Sequence, residues 1–240
     1  MRITKTLLLI LLLLTGTAGY CAGQGAVEKK ITGILTSRFH NLDISSIRQS
    51  GVPGWYEVML GAEVIYVTED GRYMFQGDLV DLDKMQNLTA KRRSSARRAM
   101  LKGIPASDMI VFAPKNTRHS IYVFTDVDCP YCRRLHQDVP KLNAMGIAVK
   151  YLAFPREGIG SDTYREMEAV WCSKDRNKAL TEAKKGMKIK AGKCNDPVGR
   201  QFMIGQDMGI HGTPAIYTED GRQIGGYLSP DEIAEVFKGS

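Results

Sequence analysis

The stretch Val123-Phe124-Thr125-Asp126-Val127-Asp128-Cys129-Pro130-Tyr131-Cys132-Arg133-Arg134-Leu135-His136 decides the fold. Its first half continues an apolar run from Ile121 to Thr125, which reads as a buried strand. A helix follows from the first cysteine, because Pro130 fixes φ and lacks an N–H that the first helical position does not use. Two thiols therefore sit at the start of a helix that leaves a strand. A thiolate, not a thiol, is the attacking species of cysteine chemistry. The start of a helix offers unpaired N–H groups and partial positive charge, which favour a thiolate there. Cys129 is thus the expected nucleophile with a lowered pKa. Cys132, one turn further in, is the less exposed resolving thiol. Pro130 and Tyr131, between them, set the redox poise.

A bare C-x-x-C is also half of a zinc site, which needs two more ligands at suitable spacing. The other cysteine pair, Cys172 and Cys194, has no such spacing. His136, four residues after Cys132, is the best metal-ligand candidate, with a surface position on the helix as the alternative. We read the pair as a redox site with no metal and no cofactor. Thr213-Pro214 precedes an apolar strand and reads, on its residues alone, as a strand-initiating proline. His211 is either a neighbour of Cys129 that favours its thiolate or a plain loop residue.

Working outward, Met109–Phe112 and Ala148–Phe154 read as further strands, and residues 162–208 as largely helical. Ala215–Tyr217 and Gln223–Gly225 form a hairpin about Asp220-Gly221, and Pro230–Phe237 is a last helix. This order fits a layered α/β sheet with helices on both faces. Residues 83–102 hold no Gly or Pro and end at Gly103 and Pro105, so they predict a helix, polar on most sides as a connector would be. Before it, residues 26–39 carry a helical apolar stripe, while Trp55–Leu60, Glu63–Val67 and Tyr73–Phe75 alternate as strands, with a turn at Glu69–Arg72. This first unit is small, and its apolar strands leave an exposed edge that pairing with a second copy would cover.

The chain has 240 residues, 43% apolar and 25% charged, which allows one large or two small domains and excludes disordered, collagen-like, coiled-coil and polytopic membrane classes. The net charge of +7 is local. Lys91, Arg92, Arg93, Arg97, Arg98 and Lys102 supply most of it from one segment without an acid, and a solvated helix face explains that better than a nucleic-acid groove. Arg2 and Lys5 precede the apolar run Leu7–Leu14 and the small residues Gly16, Ala18, Gly19 and Ala22, the layout of a secretory signal over residues 1–22. Cutting after Ala18 keeps Cys21 and cutting after Ala22 removes it; Tyr20 argues against acylation of Cys21. An oxidising compartment follows, in which Cys129, Cys132, Cys172 and Cys194 allow three pairings. Cys129 and Cys132 close only a strained small ring, which leaves Cys172 and Cys194 for each other as a structural disulfide rather than a second redox site.

Val123–His136, together with Tyr151–Arg156 (Y-L-A-F-P-R), Trp171–Ala179 (W-C-S-K-D-R-N-K-A) and Gly212–Ala215 (G-T-P-A), closely resembles the periplasmic disulfide isomerases of the DsbC/DsbG family. The resemblance covers nearly the whole chain past the leader, including Ile65–Arg72. It implies a C-terminal thioredoxin fold with a helical insertion (residues 106–240), a small N-terminal α+β dimerisation domain (23–82) and a linker helix (83–105). It further implies a homodimer, misfolded disulfide-containing exported proteins as clients, chaperone activity, a DsbD-like membrane reductase as electron source, and no nucleic-acid partner. Pro214 is implied to be cis and to pack against the cysteine pair, with Thr213 offering backbone groups to an extended client. Pro130-Tyr131 follows the DsbG pattern, whereas Cys172, Cys194 and Gly212-Thr213 follow DsbC, the branch we favour. A thiol oxidase, a DsbG-like sulfenic-acid reductase and a non-catalytic chaperone or metal-binding module are the competing readings.

Overall fold

A computed structural model describes residues 18–40 and 42–238, with the side chains of the first helix described from Gly25 onward. The leader expected over residues 1–22 lies, up to residue 17, outside the described residues. The chain divides into two compact units: residues up to Leu60 with Val64–Gly77, and Gly61–Glu63 with the chain from Asp78 onward.

In the first unit α1 (Ala18–Arg38) lies on a sheet whose strands follow chain order: β1 (Ile44–Gln49), β2 (Trp55–Leu60), β3 (Glu63–Thr68) and β4 (Met74–Phe75). Alternation explains the core. Tyr56 and Val58 of β2, and Ile65 and Val67 of β3, are two apart and share a face, on which Ile31 and Leu35 of α1 are buried. The edge strand β4 leaves Met74 and Phe75 exposed, and the Phe75 ring stacks on Tyr66 at 4.8 Å.

The helix expected over 83–102 begins five residues later. Residues 80–87 instead form a short hairpin of β5 (Val80–Asp81) and β6 (Gln86–Asn87), with Met85 in the left-handed region at φ 49°. Asn87 ends it by accepting the Ala90 N–H at 2.7 Å, a side-chain N-cap that starts α2 (Leu88–Lys102).

The remaining strands build one mixed sheet in the order β11 (Gln223–Gly225), β10 (Ala215–Thr218), β8 (His119–Thr125), β9 (Ile147–Ala153), β7 (Ile110–Phe112). Among the described strands of this sheet only β8 and β9 run parallel, and parallel neighbours need a long crossover. That crossover carries α3 (Pro130–Gln137) and α4 (Val139–Ala144), the second of which the periodicity missed because Pro140 masks it. Successive strand residues feed opposite faces: Val123, Tyr151 and Ile216 enter one apolar cluster, and Phe124, Leu152 and Tyr217 the other.

Residues 162–208 resolve into α5 (Asp162–Trp171), α6 (Arg176–Lys184) and α7 (Val198–Asp207), and α8 (Pro230–Val236) closes the chain. Residues 185–197 are not helical; Gly186 at φ 82° breaks the run. Gly205 lets α7 lie against the sheet side chains, because a Cβ there would meet Phe154 at 2.5 Å. Cys172, which ends α5, is bonded to Cys194 in the irregular segment.

Candidate active site

Two features of the sheet bring the site together. Strand β8 delivers Thr125, Asp126 and the turn to Cys129 at its carboxyl end. Strand β10 pairs antiparallel with it, Ala215 opposite Phe124 and Ile216 opposite Val123. The residues entering β10 therefore lie beside the turn leaving β8. They are Thr213 and Pro214, joined by a cis peptide bond, with Pro214 buried. The Cys129 thiol donates to the Thr213 carbonyl across 3.1 Å.

Cys129 is the N-cap of α3 and Pro130 follows at the first helical turn, as the sequence predicts. Its thiol titrates far below the usual value, at about 5. The first cause is the Cys132 S–H, which donates to the Cys129 sulfur; Thr213 and the backbone N–H groups of Cys132 and Tyr131 add to it, and burial opposes them. The helix terminus, to which the sequence assigns the whole effect, is thus only one contributor. Cys132 is fully buried and its thiol is pushed up, first by desolvation and then by the bond it gives to Cys129. The two thiols divide the work: one ionises easily, the other holds its proton.

The turn between β8 and α3 is fixed by charge. Buried Asp126 accepts the backbone N–H of Asp128 at 2.7 Å and of Arg156 at 2.9 Å, and pairs with the Arg156 guanidinium at 3.1 Å. Arg133 donates to the Val127 carbonyl and pairs with Asp128, whose second oxygen accepts from Thr163 at 3.0 Å. On the open side Tyr131 is 61% exposed, its ring 6.4 Å from Tyr227, over which Arg134 sits at 4.8 Å. This aromatic shelf borders the dithiol.

His136 is corrected by the structure. It is neither a surface residue nor a free ligand: one ring nitrogen bonds Tyr151 Oη at 3.1 Å and the other Thr181 Oγ1 at 3.0 Å. Burial holds its pKa down at about 4, with Lys184 and Lys185 adding to the fall, so the ring is neutral. His211 is exposed at the turn that leads into Thr213. Sequence reasoning missed Lys184, whose ammonium is buried beneath the dithiol and donates to Thr125 Oγ1 at 2.8 Å. The signal was present: Lys184 follows Leu180 by four residues on α6 and therefore falls on its buried face.

The protein-family model for a thioredoxin-like domain matches residues 105–239, and the model for the disulfide bond isomerase N-terminal domain matches residues 22–90. The thiol:disulfide interchange protein DsbC of Escherichia coli K12 is 36% identical over 193 residues, 80% of either chain. The DsbC protein of Dickeya dadantii is 34% identical over 230 residues, 95% of this chain and 93% of its own. Among solved structures, a disulfide interchange protein from Neisseria gonorrhoeae superposes with a TM-score of 0.51 at 28% identity, covering 57% of this chain and 97% of its own.

Proposed function

This chain belongs to the DsbC family of thiol:disulfide interchange proteins, and we propose that it isomerises wrong disulfides of exported proteins with Cys129 as the attacking thiolate. Thiol:disulfide interchange on a thioredoxin-type domain is its chemistry. The residue assignment is supported by the place of the Cys129 thiol, at the N-cap of α3 and 3.1 Å from the Thr213 carbonyl, with its pKa lowered first by the Cys132 thiol.

The Cys129 sulfur attacks one sulfur of a client disulfide. A bond forms between Cys129 and that sulfur, the client bond breaks, and the other client sulfur leaves as thiolate. That thiolate attacks a different client sulfur, which rearranges the client and ends by releasing Cys129. In the second route Cys132 attacks Cys129, the client departs reduced, and the Cys129–Cys132 disulfide awaits a membrane reductase of the DsbD kind. A sulfur that ionises easily also leaves easily, so release is fast. The Thr213 backbone and the Tyr131–Tyr227 shelf hold an extended client beside the sulfur. Cys172–Cys194 is structural.

Residues 1–22 direct the chain to the periplasm. Residues 23–82 join two copies through the exposed edge at Met74 and Phe75. A cleft between two subunits that holds unfolded chains would also give chaperone activity. Light scattering checks the assembly, and a monomeric mass would refute it.

The activity is tested by recovery of a scrambled, enzymatically silent client. Wild type restores it, and Cys129→Ser abolishes the recovery while keeping the native circular dichroism. Recovery by the variant at the wild-type rate would remove Cys129 from its role.

A further inference from the structure

Lys184 is a buried cation that pairs with no carboxylate among the described residues. Its side chain comes from α6 and its residue is 5% exposed. The ammonium donates to Thr125 Oγ1 at 2.8 Å and to the Asp126 carbonyl at 3.4 Å, and stands 5.7 Å from the centre of the Tyr151 ring. Thr125 is itself fully buried. Because its oxygen accepts from the lysine, its own proton is free to point elsewhere, and the hydroxyl acts on Cys132, whose thiolate form it favours. Thr125, bonded to Lys184, thus stands between the lysine and the Cys132 thiol. The lysine end borders a surface cavity of about 300 Å³ that is also lined by Gln137, Pro140, Thr181 and Lys185.

The resolving step needs such an arrangement. Cys132 must lose a proton before it attacks, yet burial favours its neutral form. We propose that Lys184, acting through the Thr125 hydroxyl, is the proton acceptor that makes Cys132 a nucleophile. The proposal rests on the reading of Cys129 and Cys132 given above.

The balance closes. In the mixed disulfide Cys129 is bonded to a client sulfur and carries no charge. Lys184 loses an anion that had supported its own, and its proton leaves through the cavity. The Cys132 proton then passes to Thr125 Oγ1 as the Thr125 proton passes to Lys184 Nζ. The Cys132 thiolate attacks Cys129 Sγ, the intramolecular disulfide forms, and the bond to the client breaks. The client sulfur leaves as thiolate and takes a proton from water. The two cysteines have given two electrons to the client.

The surroundings suit a lysine that gives up its proton near neutrality. Burial brings it down to about 8, against the opposing charges of Cys132, Asp126 and Cys129 and with help from Arg133. His136 and Tyr151 also face it, one neutral through burial and the other held protonated, and Lys185 adjoins it. None of these three supplies an anion to hold the proton on.

A symmetrical aryl disulfide that releases one coloured thiolate per step separates the two sulfurs. The first release reports attack by Cys129 and the second reports attack by Cys132. In Lys184→Met and in Thr125→Val, the second release is expected to slow on the order of a hundredfold relative to the first, and its rise with pH to move upward. Lys184→Arg is expected to be equally slow, because a guanidinium keeps its charge. A second release with wild-type rate and pH profile in the Met and Val variants would overturn the proposal, and so would full rescue by Arg. If Lys184→Met does not fold, Thr125→Val decides alone, since it keeps the lysine and removes only the bridge. A first release that survives in Cys129→Ser would instead refute the assignment of Cys129 itself.

Discussion

A neutral imidazole inside a protein resists acid until it is forced to charge, and His136 is such a group. Its ring is bonded on both sides, to Tyr151 and Thr181, and takes up a proton only at about 4, against 6.5 for a free ring. The unfolded chain binds that proton first, so the folded state loses stability as pH falls between those values. For this group alone the loss from about pH 6.5 to about pH 4.5 is about 2 kcal/mol. Urea unfolding of the oxidised protein, in which Cys129 does not titrate, should show this slope. His136→Phe should flatten it, while costing about 1–3 kcal/mol at neutral pH for the buried Tyr151 hydroxyl left unpaired, since Thr181 keeps its bond to the Asn177 carbonyl. An unchanged slope would mean that another group sets the acid limit. At this scale the sequence placed Cys129, Pro130 and Cys132 at the start of a helix, because that logic is local: a proline in the first turn and two thiols one turn apart. It did not reveal the state of His136 or the reach of Lys184. Both depend on side chains brought from 15 to 59 residues away.

Helices and strands follow the same division. Strands were legible to within one or two residues, β2 and β3 by alternation and β8 and β9 as short apolar runs. The start of α2 was not, because the Asn87 cap competes with the uninterrupted polar run around it. Residues 185–197 read as helical by composition, yet the break at Gly186 and the bond from Cys172 to Cys194 leave them irregular. That bond closes a segment with a sequence separation of 22. Replacing both cysteines by alanine should cost about 3 kcal/mol of stability by the chain-entropy model. The alkylation rate of Cys129 should hold, since the disulfide lies at the end of α5 opposite Thr163, which bonds Asp128 in the turn before Cys129. Denaturant titration beside a thiol-labelling rate checks both halves, and a collapse of Cys129 reactivity would make this disulfide part of the site.

Over the whole chain, the two units divide the tasks. The first leaves Met74 and Phe75 of β4 exposed, and the second holds the dithiol beyond the carboxyl end of β8. The order of elements in the second unit was readable because strands and helices alternate strongly there. The pairing order was not: that β10 lies beside β8, bringing Thr213 to Cys129, is a long-range choice that no local pattern encodes. The account depends on that meeting, which sets the Cys129 sulfur beside Thr213, one of the residues that lower its pKa. The most direct measurement is a spectroscopic titration of the reduced protein, following thiolate absorbance from acid to alkali. The account predicts that the first sulfur ionises with a midpoint at about 5, and that Cys129→Ser removes this step. A first midpoint near 9.0, the value of an unperturbed thiol, would contradict it.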